Sequence, residues 1–114
     1  MNLQTVIDTL KLQILTDRKD FSAIIPKSGY ASDLLSCVMA SAKKDGLWVT
    51  LQAHSNIVAV AALLDLNAVI ITESAAPDEE TIAKANEEGV ILFSTNEPTF
   101  SVVGRLYEMG LRVA

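Results

Sequence analysis

From Gly46 onward the chain runs three times through one pattern: a short apolar run, a polar turn, then a longer run with helical spacing. The units read LWVTL, QAHSN, IVAVAALLDL; then NAVIIT, ESAAP, DEETIAKANEEG; then VILFS, TNEP, TFSVVGRLYEMG, with stops about 22 residues apart. Strands that alternate with helices on such short connections must pair in parallel through right-handed crossovers. The pattern predicts an α/β chain, three layers as α/β/α, with a mainly parallel sheet. AVII and VILF are continuously apolar, as strands covered on both faces are.

The remaining segments are shorter. Leu3, Val6, Ile7 and Leu10 fall on one helical stripe, so the N-terminus reads as a helix. LQILT and FSAIIP read as short strands, the second stopped by Pro26, and Lys27-Ser28-Gly29 as a loop. Ser32 then reads as the cap of a helix carrying Leu34, Leu35, Val38, Met39 and Ala42, with Asp33 in its first turn and Gly46 as its stop. At 114 residues the size prior gives one domain over 1–114, with the N-terminal helix and short strands in 1–28 and the strand-helix core in 29–114.

Composition removes several classes. The longest apolar run, IVAVAALL, is far short of the roughly 20 residues of a membrane span. MNLQTVIDTLKLQ has no basic start followed by an apolar core, so the expectation is a cytoplasmic protein. A net charge of −5 argues against nucleic acid. Seven acids and one base lie between Glu73 and Glu97, leaving the rest of the chain close to neutral. That acidic face reads as solvated rather than as a docking site. One histidine and one cysteine are too few for a zinc site, and Cys37, inside an apolar helical pattern, reads as an inert core thiol.

In a parallel sheet ligands bind where the carboxyl ends of strands meet helix N-termini. Here that rim comprises Thr50, Gln52, His54, Ser55 and Asn56 after the first strand of the repeat. Thr72, Glu73 and Ser74 follow the second, and Ser94, Thr95 and Asn96 the third, with Asp33 a further candidate. No G-x-x-x-x-G-K-[ST], G-x-G-x-x-G or G-x-S-x-G occurs, which removes the usual phosphate, dinucleotide and nucleophile-elbow signatures. His54 has two readings: a turn residue beside a cap formed by Ser55 or Asn56, or a donor to a ligand phosphate or carbonyl. Asp78 reads as the cap of the second repeat helix, without chemistry.

Two helices are unusual. The one after His54 is apolar from Ile57 to Leu64 and needs cover on several sides. The last carries Gly104 in its interior, at about 0.5–1 kcal/mol relative to alanine. Both fit a homodimer, and a buried core helix explains the first equally well.

The segments GYASDLLSCVM (29–39), LWVTLQAHSNIVAVAALLDLNAVIIT (47–72), PDEETIAKANEEGVILFST (77–95) and F-x-x-x-x-R-L-Y-E (100–108) resemble the DRTGG-domain family. The chain departs from the family at its naming motif, where Asp17-Arg18 is followed by Lys-Asp rather than Thr-Gly-Gly. The resemblance implies a domain found alone, beside acetyl-transfer enzymes, or beside CBS pairs in pyrophosphatase regulatory regions, where it helps form a dimeric adenine-nucleotide-responsive unit. It also implies kinship with the amino-terminal domain of HPr kinase/phosphorylase and, more remotely, with that of the muramoyl-peptide ligases. Without a P-loop, phosphotransfer is the least favoured activity. The leading expectation is a non-enzymatic, homodimeric regulatory domain binding a small anion such as an adenine nucleotide, with no catalytic residue, metal or bound cofactor. The alternative is an accessory subunit docking on a larger enzyme or a CBS-domain protein.

Overall fold

The computed structural model describes all of residues 1–114. Five strands form one sheet: β1 (Gln13–Ile14), β2 (Ser28–Ala31), β3 (Gly46–Thr50), β4 (Ala68–Ile71) and β5 (Leu92–Ser94). Their spatial order is β1-β5-β4-β3-β2, with β2 through β5 parallel and β1 antiparallel on the far edge. The helices are α1 (Leu3–Leu10), α2 (Leu35–Ser41), α3 (Asn56–Leu63), α4 (Glu79–Glu88) and α5 (Thr99–Glu108).

Consecutive parallel strands are spatial neighbours, so three right-handed crossovers of one step place α2, α3 and α4 on the same face. The two cores show the result. Trp48, Val69, Ile71 and Leu92 point toward α2, α3 and α4, packing on Val38, Ile57, Ala61 and Ala85. Their sequence neighbours Leu47, Val49, Ile70 and Phe93 point the other way, onto Leu3, Val6 and Leu10 of α1 and Val102 and Leu106 of α5. The three-layer α/β/α arrangement with a mainly parallel sheet is therefore as expected.

Local readings differ at several points. FSAIIP is not a strand: a 3-10 turn covers Phe21–Ala23, because the Asp20 carboxylate accepts the Ser22 N–H and holds the turn closed. Phe21 is buried there, edge-on to Phe93 with centroids 5.6 Å apart. Ser28 and Gly29, expected in a loop, begin the edge strand β2. Ser32 does not cap α2. Its hydroxyl accepts from the Leu34 N–H in a tight turn, the helix starts at Leu35, and Asp33 lies outside it. Gly46 is not a helix stop either. It opens β3, where an added Cβ would meet the Lys43 carbonyl at 2.8 Å and the Ser28 hydroxyl at 2.9 Å, so close packing of β2 on β3 requires glycine.

α3 is covered as its composition demands, with Ile57, Val58, Val60 and Ala61 buried, yet Leu63 is 67% exposed. Cys37 is exposed, because Leu35, Val38 and Ala42 set the inward stripe of α2 and leave residue 37 outside it. The Gly104 backbone is not approached by any neighbour: an added Cβ would meet nothing within 4 Å.

Candidate functional site

At the carboxyl edge most of the expected rim residues bond to one another. Asp33 Oδ1 accepts from the Thr50 hydroxyl and from the Leu51 N–H, both at 2.8 Å. Gln52 donates its amide to the Asp33 carbonyl at 3.1 Å and its N–H to the Thr50 hydroxyl oxygen. Thr72 is fully buried, its hydroxyl 2.6 Å from that of Thr99. Glu73 accepts the Thr99 N–H at 2.8 Å and thereby caps α5, whose N-cap Pro98 has no capping side chain. Ser74 donates to Asn96 Oδ1, and the Thr95 hydroxyl accepts from the Glu97 N–H. Ser94 faces the β1 side, its hydroxyl 3.5 Å from Gln13 Oε1.

Glu73 and Ser74 are both left-handed, with φ of 62° and 61°. Such residues cost about 1 kcal/mol or more each and persist only where the surroundings fix them. Here Glu73 N–H bonds the Glu97 carbonyl and Ser74 N–H the Thr95 carbonyl, in addition to the side-chain bonds above. No buried side-chain nitrogen or oxygen lacks a partner. The strand order explains why the rim is closed. Ligand crevices in open α/β sheets form where strand order reverses, and β2 to β5 never reverse.

A cleft of about 760 Å³ opens beside the rim, between the β3–α3 turn and α4. His54 and Ser55 form one wall, Asp78, Glu80, Lys84 and Glu87 the other, and Ala53, Ala76 and Ala83 add apolar lining. Of the expected rim residues only His54 and Ser55 line it. Asp33, Thr50, Gln52, Asn56, Thr72, Glu73, Ser94 and Thr95 do not.

The α3 N-terminus is closed by the histidine ring itself. His54 Nδ1 accepts the Asn56 N–H at 3.3 Å, and neither Ser55 nor Asn56 caps with its side chain. An accepting Nδ1 places the proton of the neutral ring on Nε2, which is left to donate outward. Across the cleft, Asp78 accepts the Thr81 N–H at 2.8 Å and caps α4. The Thr81 hydroxyl and N–H hold the Asp78 carboxyl below its ordinary range, with a smaller electrostatic pull from His54. The cleft thus presents three carboxylates against one ammonium, with an imidazole donor opposite. No three His, Cys, Asp or Glu side chains converge as a metal group.

Reading the sequence by strand ends missed the α4 wall. Its signal was present as helical register, since Glu80, Ala83, Lys84 and Glu87 share one stripe at i, i+3, i+4 and i+7.

The family model described as DRTGG domain matches residues 5–109. No curated protein matches the chain. Among solved structures, it is similar to the CBS and DRTGG domains of the regulatory region of Clostridium perfringens pyrophosphatase, complexed with its activator diadenosine tetraphosphate. The TM-score is 0.76 at 18% identity, over 97% of this chain and 47% of the other. The chain spans about half the length of that regulatory region.

Proposed function

Because the chain belongs to the DRTGG-domain family, we propose that it is a non-catalytic, homodimeric regulatory module of the cytoplasm that senses an adenine nucleotide in the cleft between His54 and α4. The observation that carries this reading is the cleft itself, whose 760 Å³ lies within the usual range for small-molecule sites. The similar pyrophosphatase region, itself bound to a dinucleotide activator, supports the ligand class.

The lining narrows the class further. Glu80 and Glu87 suit ribose hydroxyls, which donate to carboxylates; the alanine lining suits a base; Lys84 and the outward Nε2–H of His54 suit one phosphate. Three carboxylates disfavour a long polyphosphate. The order of affinity is therefore adenosine monophosphate above adenosine triphosphate above diadenosine tetraphosphate. Calorimetry against these ligands tests it. Binding in the micromolar range, weakened about tenfold by Lys84→Ala, is expected. No binding below millimolar concentration, or binding that Lys84→Ala and His54→Ala leave unchanged, refutes it.

A second reading, an accessory subunit docking on a larger enzyme or a CBS-domain protein, is favoured by α2. Its segment LSCVMAS carries no charge, and Leu34 just before it is 60% exposed. Affinity capture from native cells followed by Leu34→Ser tests that surface, and recovery of this chain alone counts against it.

A further inference from the structure

The outer stripe of α5 is uncovered at Phe100 and Gly104, and at Tyr107 it is met by Arg112. Phe100 is 89% exposed, more than any other large hydrophobic residue, and Tyr107 is 57% exposed. Gly104 lies between them on the same stripe, and a Cβ there would touch nothing. A glycine inside a helix weakens it, and here nothing in the monomer fills the notch. Val103, half-buried beside the notch, also lines an apolar groove with Tyr107, Leu111 and Tyr30 of the edge strand β2.

We infer that this stripe is the homodimer contact, with α5 of two copies packed antiparallel about a two-fold axis between Val103 and Gly104. The inference rests on the homodimer part of the function proposed above. The spacing is self-complementary. An axis at that point sets Phe100 opposite the partner's Tyr107 and Val103 opposite the partner's Gly104 at the same time. Each copy therefore supplies a knob and a notch, as an isologous contact requires. The aromatic pair gains stacking beyond its buried area, and the glycine lets the backbones approach closely. Arg112 lies 3.6 Å from the Tyr107 ring centroid and fixes that ring in place.

Charge selects a second copy and this face. The acids concentrated between Glu73 and Glu97 build α4, on the opposite side of the sheet, so pairing through α5 keeps the two acidic faces apart. The segment Thr99 to Gly104 carries no charge, and Arg105 is occupied by the Thr9 carbonyl. An α5 strip about 15 Å long plus the adjoining groove gives on the order of 500 Å² per side, below the roughly 800 Å² of a standard interface. The dimer is consequently a dissociable one.

Sedimentation equilibrium on the full chain tests this. The expected result is a dimer dissociating in the micromolar range, weakened about tenfold or more by Phe100→Ser and by Gly104→Gln, and unaffected by Leu34→Ser on the other face. Phe100 is 89% exposed and a Cβ at Gly104 meets nothing, so unchanged circular dichroism should accompany the loss. Melting of the dilute monomer should be unchanged for Phe100→Ser and slightly raised for Gly104→Gln, which removes a helix glycine. A dimer that persists in both variants overturns the assignment of this face while leaving the homodimer intact. A chain that stays monomeric at about millimolar concentration overturns both. Neither outcome bears on nucleotide binding, which calorimetry reads separately.

Discussion

Trp48 joins the core to the rim, and Trp48→Phe measures that link. The indole is fully buried on β3, and its Nε1 donates to the Ser32 carbonyl at 2.9 Å, just ahead of the Asp33 carboxylate that holds Thr50 and Leu51. Phenylalanine removes about three heavy atoms from a packed site, costing about 2–3 kcal/mol in lost burial and cavity. The lost hydrogen bond adds about 1 kcal/mol; Ser32 is only half-buried, so water can replace the donor and keep that part small. The expected loss is about 3–4 kcal/mol, a large share of the 5–15 kcal/mol typical of a domain. Urea unfolding followed by far-ultraviolet circular dichroism reads it, with an unchanged m-value showing that the denatured state is unaltered. A loss below about 1 kcal/mol would refute the argument, because it would mean that the pocket collapses around the smaller ring and that the indole bond holds nothing.

Other positions give sharper contrasts. Gly46→Ala should destabilise by about 1–3 kcal/mol, since its Cβ meets backbone at 2.8 Å, whereas Gly29→Ala meets only the movable Leu111 side chain and should cost less; paired thermal melts compare them. Gly104→Ala should stabilise the dilute monomer by about 0.5–1 kcal/mol, read as a higher urea midpoint. Because the folded Asp78 carboxyl titrates below its unfolded value, its contribution is present above that unfolded value and fades as pH falls through the folded one. Asp78→Asn keeps a neutral cap and should flatten the acid limb of stability measured from pH 7 down to about pH 3. Thr72→Val should cost about 1 kcal/mol by denaturation, because Thr50 O keeps the Thr72 N–H and Thr99 can turn to water.

The layers were legible in the sequence because β3, β4 and β5 are continuous apolar runs and α4 carries its own signals, Asp78 at one end and Gly89, left-handed at φ 72°, at the other. β2 was not, because an edge strand reading SGYA is short, half-buried and begins with residues that also mark loops. FSAIIP misled because its apolar residues serve a capped turn rather than a pleat. Gly46 misled because Lys-Asp-Gly is an ordinary helix ending, while the true constraint is the carbonyl of Lys43 pressing on it. At the site, residue types at strand ends could be named, but their mutual satisfaction could not, since Asp33 reaches Thr50 and Glu73 reaches Thr99 across the fold. The cleft depends on how a crossover seats α4 against the β3–α3 turn, a distance no local pattern contains.

The strand order also dictates a sequence of assembly. β3, β4 and β5 each join the strand that precedes them in the chain, so those pairings close short loops. β1 alone must reach across, pairing Gln13 with Ser94 and Ile14 with Phe93, while the Thr16 hydroxyl accepts the Leu92 N–H. β1 is thus synthesised before its partner edge exists and must wait for β5 to form. Its amides should exchange hydrogen soonest, and α1 should leave and return with them as one unit.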